Sequence, residues 1–176
     1  SSAEYLLSLI NDILDMSRIE SGKIILAKEP FSCKDMIDDI NAMIASQTKL
    51  KHIHYQFINS VQNDHFFRGD ETRIKQILLN LLNNAIKFTA DGGTVRLQYE
   101  VLTVMNGKGR IRFTVSDSGI GISKEFLKRI FEPFTQEHDG TITEYQGSGL
   151  GLAIARNLAR LMDGDIAVES QIGQGT

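Results

Sequence analysis

A single cysteine, Cys33, stands in 176 residues. No internal disulfide can form, and such sparing use fits a reducing compartment. Nowhere do roughly 18 apolar residues run together, the length a helix needs to span a bilayer. Positive charge is also short: Lys+Arg 19 fall below Asp+Glu 22, leaving a net charge of −3. A nucleic-acid partner is therefore not expected, because a phosphate backbone demands clustered Lys and Arg. Internal repeats and low-complexity tracts are absent as well. The chain opens Ser1-Ser2-Ala3 inside an apolar helical pattern, with neither Met nor signal peptide. It closes at Gly175-Thr176, where a strand is expected to follow, so it reads as a piece of a larger protein.

What is present can build a core, at 41% hydrophobic residues, in one or two domains. Residues 3 to about 19 carry Ala3, Leu6, Leu7, Ile10, Ile13 and Leu14 at helical spacing. A helix with so wide an apolar face needs a partner helix, in this chain or another. A short strand is expected at Lys23 to Leu26. Ser32 with Asp35 opens a second helix to about residue 49, turning Met36, Ile37, Ile40, Met43 and Ile44 inward. His54 to Ile58 alternates as a strand, and Asp70 caps a helix running to about Phe88. Thr94 to Val104 and Arg110 to Ser116 flank Asn106-Gly107, a strong hairpin signal. A short helix follows Ser123, residues 134 to 147 read as a long loop, Leu150 to about Met162 as a helix, and Asp165 to Ser170 as a strand. The expected boundary lies near Gly22. Residues 1–22 form a partial helical hairpin and 23–176 an α+β domain with helices on one face of a sheet.

Four short motifs then occur in order: Asn80-Leu-Leu-Asn83-Asn84-Ala-Ile-Lys87, Asp117-Ser-Gly119-Ile-Gly121, Phe131-Glu-Pro-Phe134 and Gly147-Ser-Gly149-Leu-Gly151. At about 100° per residue, Arg73, Gln76, Asn84 and Lys87 fall within about 40° of Asn80. Ile74, Leu78, Leu81, Ala85 and Phe88 form a separate arc roughly 120° away, read as the core face. A stripe of amides and bases could be a plain solvated face. Asn is a poor helix former, however, and two of them at i and i+4 suit a hard cation that takes oxygen ligands. Asp117 ends an apolar strand, and its acceptor-only carboxylate can take a bond from an adenine amine. Read alone, it is ordinary turn chemistry. Gly147 to Gly151 lead into a helix start, where anions settle; an uncomplicated N-cap is the competing reading. Dinucleotide and P-loop signatures do not fit, since the spacing is G-x-G-x-G after a loop and Asn106-Gly-Lys108-Gly is a hairpin tip. Phe131 and Phe134 are read as partly core, and as anchors for one end of the long loop.

In this order the motifs resemble the N, G1, F and G2 boxes of the ATP-binding domain of sensor histidine kinases, in the superfamily shared with gyrase B, Hsp90 and MutL. Gly173-Gln-Gly175-Thr176 is similar to the start of the last glycine motif. Tyr5 to Asp15 with Ser17 to Gly22 resembles the second dimerisation helix. The resemblance implies a two-layer α/β sandwich, a mixed sheet of about five strands with three main helices, preceded by a bundle helix and cut before its final strand. It implies a transferase of two-component phosphorelay signalling that binds ATP and Mg²⁺. Asn84 would hold the metal with Asn80 beside it, Lys87 would meet phosphates, and Asp117 the adenine amine. Gly119, Gly121, Ile122, Phe134, Gly147, Ser148, Gly149, Leu150, Gly151, Leu152 and Thr176 would complete the nucleotide site, with 134 to 147 as ATP lid. Implied partners are a second copy through the N-terminal helix and a response regulator receiver domain, in the cytoplasm.

Three departures shape the expectation. Where relatives that hydrolyse ATP carry a Glu four residues before the metal Asn, this chain has Asn80, and an amide cannot act as a general base. ATP should be held and its γ-phosphoryl group passed to an outside histidine. No His-Glu/Asp-x-Arg-Thr-Pro segment surrounds His52, His54, His65 or His138, so the acceptor is expected elsewhere and no catalytic residue is assigned. Residues 133 to 148 contain no Lys or Arg, and Thr143 and Glu144 stand where hybrid kinases often have Arg-Lys. That weakens ATP affinity or lid closure and leaves a competing reading: a degenerate, nucleotide-free interaction module.

Overall fold

The computed structural model describes residues 2–60, 66–136 and 147–176. Most of the expected lid, with Thr143, Glu144 and His138, lies outside the described residues, as does His65. The elements run α1 Ser2–Glu20, β1 Glu29–Ser32, α2 Cys33–Leu50, β2 His54–Asn59, β3 Phe66–Gly69, α3 Glu71–Phe88, β4 Thr94–Met105, β5 Lys108–Asp117, α4 Lys124–Leu127 and α5 Gly151–Leu161.

Caps set the two long central helices. Ser32 Oγ accepts the Asp35 N–H at 3.0 Å to start α2, and Asp70 Oδ1 accepts the Arg73 N–H at 3.0 Å to start α3. The second oxygen of Asp70 accepts the Ala27 N–H, tying the incoming chain to the same helix start. Helix α2 buries Cys33, Met36, Ile37, Ile40 and Ile44. Met43 does not join them and is 53% exposed, because it lies on the side of α2 that opens into a groove toward α1.

The described residues form five strands, divided between a β1–β3 antiparallel pair and a three-stranded sheet in the order β2-β4-β5. The parallel β2–β4 pairing needs a crossover, which α3 supplies. Strands β4 and β5 are joined by the two-residue turn Asn106-Gly107, both left-handed as a type I′ turn requires. Along β4, Val95, Leu97 and Tyr99 are buried while Arg96 between them is exposed, so one sheet face meets the helices. These three join residues of α2 and α3 in one core.

Two strand expectations are corrected. Lys23 to Leu26 is not a strand: Ile25 is 93% exposed, and the ladder forms later, at Glu29–Ser32 against Phe66–Gly69. Asp165 to Ser170 makes no ladder among the described residues; the adjoining pairing is a single bridge between Gln171 and Gly175. In both places β-prone residues lack a neighbouring strand, and pairing rather than propensity makes a strand.

Candidate functional site

Helix α3 carries two apolar faces. Leu78, Leu82, Ala85 and Ile86 are its buried residues, so the main core face lies nearly opposite Asn80 rather than at the expected angle. Leu81 and Phe88, assigned to that core, are only half-buried. The second face carries Ile77 against Leu150, Ile154 and Leu158 around α5. The sequence arc averaged two separate contacts into one.

The polar stripe between them is split by what it touches. At its N-terminal end, Asp15 of α1 accepts the Gln76 Nε2 at 2.7 Å and pairs with Arg73 Nη1 at 3.5 Å, while Arg73 also donates to Gln76 Oε1 at 2.7 Å. In its middle, Asn80 Nδ2 donates to the Gly151 carbonyl at 3.0 Å, which ties α3 to the start of α5. At its C-terminal end, the Asn84 side chain has no hydrogen-bond partner among the described residues. Lys87 has no ion pair there either; its ammonium lies 4.9 Å over the Phe88 ring. Burial lowers the Lys87 pKa from its ordinary 10.5. A half-buried cation with no anion among the described residues, one turn from an amide likewise unpaired among them, is suited to an anionic ligand that brings its own hard cation.

Glycine residues bring the opposite walls close. A side chain at Gly147 would place its first carbon 2.9 Å from Lys87 Nζ. Helix α5 begins after Leu150 with no side-chain cap and no acidic residue in its first turn, so its leading N–H groups are free of competing carboxylates. Ser148 Oγ accepts the Leu150 N–H at 3.1 Å and donates to Asp12 Oδ2 of α1 at 2.7 Å. Leu150 itself is fully buried and Leu152 half-buried. The N–H of Phe134 donates to the Gly149 carbonyl at 2.9 Å, and Gln136 Nε2 donates to the Gly147 carbonyl, closing the base of the long loop. Phe134 is 67% exposed and left-handed, so it is not a core aromatic. Phe131 is half-buried beneath the Arg156 guanidinium, 4.4 Å from its ring centroid.

Asp117 ends β5, as its position after an apolar strand predicts. Its Oδ1 accepts the Gly119 N–H at 2.8 Å. Burial raises its pKa from 3.8, against the opposing pull of the Gly119 and Thr176 N–H groups. Its own N–H donates to the Thr176 carbonyl at 2.9 Å. Gly121 is left-handed, and a Cβ there would stand 2.1 Å from the Gln171 carbonyl oxygen; no other residue fits. Ile122 N–H donates to Ser170 Oγ, which also bonds the Gly175 carbonyl and the Thr176 hydroxyl. This clamp holds the Asp117 turn against the chain's last residues. Ser170 carried no motif, and only its neighbours in space reveal it.

Two grooves among the described residues lie nearby. One, of about 680 Å³, lies between α1, α2 and α3 and reaches Asn80; the other runs between Phe131 and Arg156. Neither is lined by Asn84, Lys87 or Asp117. No cluster of three His, Cys, Asp or Glu residues able to hold a metal occurs among the described residues. A cation here would depend on amide and ligand oxygens. His52 sits just before β2, left-handed, with Nδ1 2.9 Å from Asp91, and His54 is exposed on β2.

The family described as histidine kinase-, DNA gyrase B-, and HSP90-like ATPase matches residues 69–176. The chain is 42% identical over 176 residues to the autoinducer 2 sensor kinase/phosphatase LuxQ of Vibrio parahaemolyticus, covering 99% of this chain and 20% of that protein. It is 40% identical to the circadian input-output histidine kinase CikA of Synechococcus elongatus, covering 99% of this chain and 23% of that one. Among solved structures, full-length ShkA in complex with AMPPNP is similar at a TM-score of 0.82 and 35% identity, over 99% of this chain and 35% of that chain. Histidine kinase ThkA in complex with response regulator protein TrrA is similar at a TM-score of 0.73 and 25% identity, over 99% and 46%. The chain thus spans about a fifth of the length of these curated relatives.

Proposed function

The chain belongs to the histidine kinase-, DNA gyrase B- and HSP90-like ATPase family, as the ATP-binding domain found in sensor histidine kinases, and from that premise we propose its part in phosphoryl transfer. Residues 23–176 hold ATP and residues 1–22 belong to the dimerisation region of the parent protein. The γ-phosphoryl group passes to a histidine outside this chain: the bond from the terminal phosphorus to its bridging oxygen breaks, a phosphorus–nitrogen bond forms, and ADP leaves. One observation carries this reading. Asn84 and Lys87 stand half-buried and unpaired among the described residues, and the Lys87 ammonium faces Gly147 of the segment that leads into α5.

Lys87 supplies charge to the phosphates, the α5 start supplies N–H groups, and Asp117 takes the hydrogen bond of the adenine amine. Gly119, Gly121, Ile122 and Thr176 shape the base pocket, and Phe134, Ser148 and Leu152 line the loop side. Asn84 offers the neutral oxygen that would hold Mg²⁺, with Asn80 beside it; the metal would neutralise phosphate charge. Asn80 already gives its N–H₂ to Gly151 and cannot take a proton from water. ATP is therefore held rather than hydrolysed, and the protein contributes position and charge.

The exposed apolar stripe of α1, with Leu6, Leu7, Ile10, Ile13 and Leu14 all at least 45% exposed, supports pairing with a second copy. A response regulator receiver domain is the proposed downstream acceptor and the cytoplasm the proposed location; no helix among the described residues is long and apolar enough to cross a membrane. Calorimetric titration with ATP and Mg²⁺ tests the reading. Saturable binding that Asp117→Asn weakens is expected. Equal binding by the variant, or failure to phosphorylate a supplied acceptor helix, would favour a nucleotide-free interaction module instead.

A further inference from the structure

Lys51 belongs to none of the four motifs. It forms the C-cap of α2, and its side chain crosses to the far end of α3. Its Nζ lies 2.8 Å from the Ile86 carbonyl oxygen, 2.9 Å from that of Lys87 and 2.8 Å from that of Thr89. An ammonium has three N–H donors and no acceptor, so these three carbonyls can engage all of them. They belong to the group that a helix C-terminus leaves unpaired, at the negative end of its dipole. The backbone of Lys51 adds a fourth tie, its carbonyl accepting the Gly92 N–H at 3.1 Å.

The turn gripped in this way is where two walls of the site meet. Lys87 is one of the three residues held. The Phe88 carbonyl, between two of the gripped ones, accepts the Ile120 N–H at 3.3 Å. Gly119 lies so close that a Cβ on it would stand 2.6 Å from the same oxygen. Gly119 in turn donates to Asp117 Oδ1. A continuous line of contacts therefore runs from one ammonium to the phosphate-side cation and to the base-side carboxylate. Planar, forked guanidinium donors cannot converge on three oxygens as a tetrahedral ammonium does.

We propose that Lys51 is a positioning residue for nucleotide binding. By gathering the terminal carbonyls of α3, it sets Lys87 against the glycine segment and fixes the Asp117 turn. The proposal rests on the site being an adenine-nucleotide pocket. Its test is a double-mutant cycle with Mg²⁺ and ADP in a calorimeter, on the full chain, far below each variant's melting midpoint. Lys51→Met should weaken ADP binding about tenfold in the wild-type background and less than about threefold in Lys87→Ala, because coupled residues are not additive. Lys51→Arg should give a smaller loss with the same dependence on Lys87. Should Lys51→Met fail to fold by circular dichroism, the Lys51→Arg cycle decides by that same dependence. Equal losses in both backgrounds, or no loss in either, overturn the proposal while the pocket stands. Absence of ADP binding by the wild-type chain overturns the pocket and this proposal together.

Discussion

Lys87 and Asp117 are held by burial away from their ordinary pKa values, in opposite directions, and each shift has a consequence in pH. The folded Asp117 carboxyl binds its proton more tightly than the unfolded one. Stability contributed by this group therefore falls as pH rises from 3.8 to the raised value, and the penalty is complete above it. Folded Lys87 binds its proton less tightly than the unfolded chain does. Its penalty is complete below the lowered pKa and is relieved as pH rises from there to 10.5. A ligand that bonds the Asp117 carboxylate must compete with its proton. Adenine-nucleotide affinity should accordingly begin to fall at a pH above 3.8 as a titration series is taken downward. The Asp117→Asn variant, run alongside, removes the ligand's own titration. A wild-type limb that matches the variant's goes against the assignment. Lys87→Ala should weaken ATP more than adenosine, since the role proposed for its charge is toward the phosphates; equal weakening of both would place Lys87 elsewhere.

At the scale of elements, α3 is the part that everything else is built upon. Leu82 is fully buried on it, in the core shared with α2 and the sheet. Leu82→Ala should cost about 2–5 kcal/mol in chemical denaturation, by lost transfer energy and the cavity left behind. Asp70→Ala should cost more than the usual ~1 kcal/mol of an N-cap, because the same carboxylate also holds the Ala27 N–H. A midpoint shift no larger than that of a surface substitution would remove Asp70 from the account. The buried positions of α2 follow its 3.6-residue period, apart from Met43. On α3 the period is obscured by two partners on different sides, and only the packing separates Ile77 from Leu82.

Over the whole molecule, α1 is docked by its polar side while its apolar stripe stays exposed. Asp12 and Asp15 reach Ser148, Gln76 and Arg73, and Met16 and Ile19 pack toward α5. The segment that leads into α5 and the N-terminal end of the α3 stripe are thereby in contact with α1. Asp15→Ala should raise amide hydrogen exchange across α1 while leaving the core strands protected. Unchanged exchange in α1 would mean that the apolar contacts alone hold it. Turnover of ATP to ADP without an acceptor should be slow, as Asn80 requires; rapid turnover would refute its role.

The amino-acid sequence by itself determined the order of the candidate site's parts and the residue types on which its proposed chemistry rests. Amides, one lysine, one aspartate and two glycine-rich segments are recognisable by type and spacing, helices α2 and α3 by their caps, and α5 by its period. Tertiary structure decided what no local pattern records. It paired Glu29–Ser32 with Phe66–Gly69 and left Lys23 to Leu26 without a ladder, because a strand exists only through its neighbour. It divided the α3 stripe between α1 and the open end at Asn84 and Lys87, and it carried Lys51 and Ser170 across the fold to backbone groups distant in sequence. Such partners are chosen by the approach of whole elements in three dimensions, which the spacing of residues along a chain does not contain.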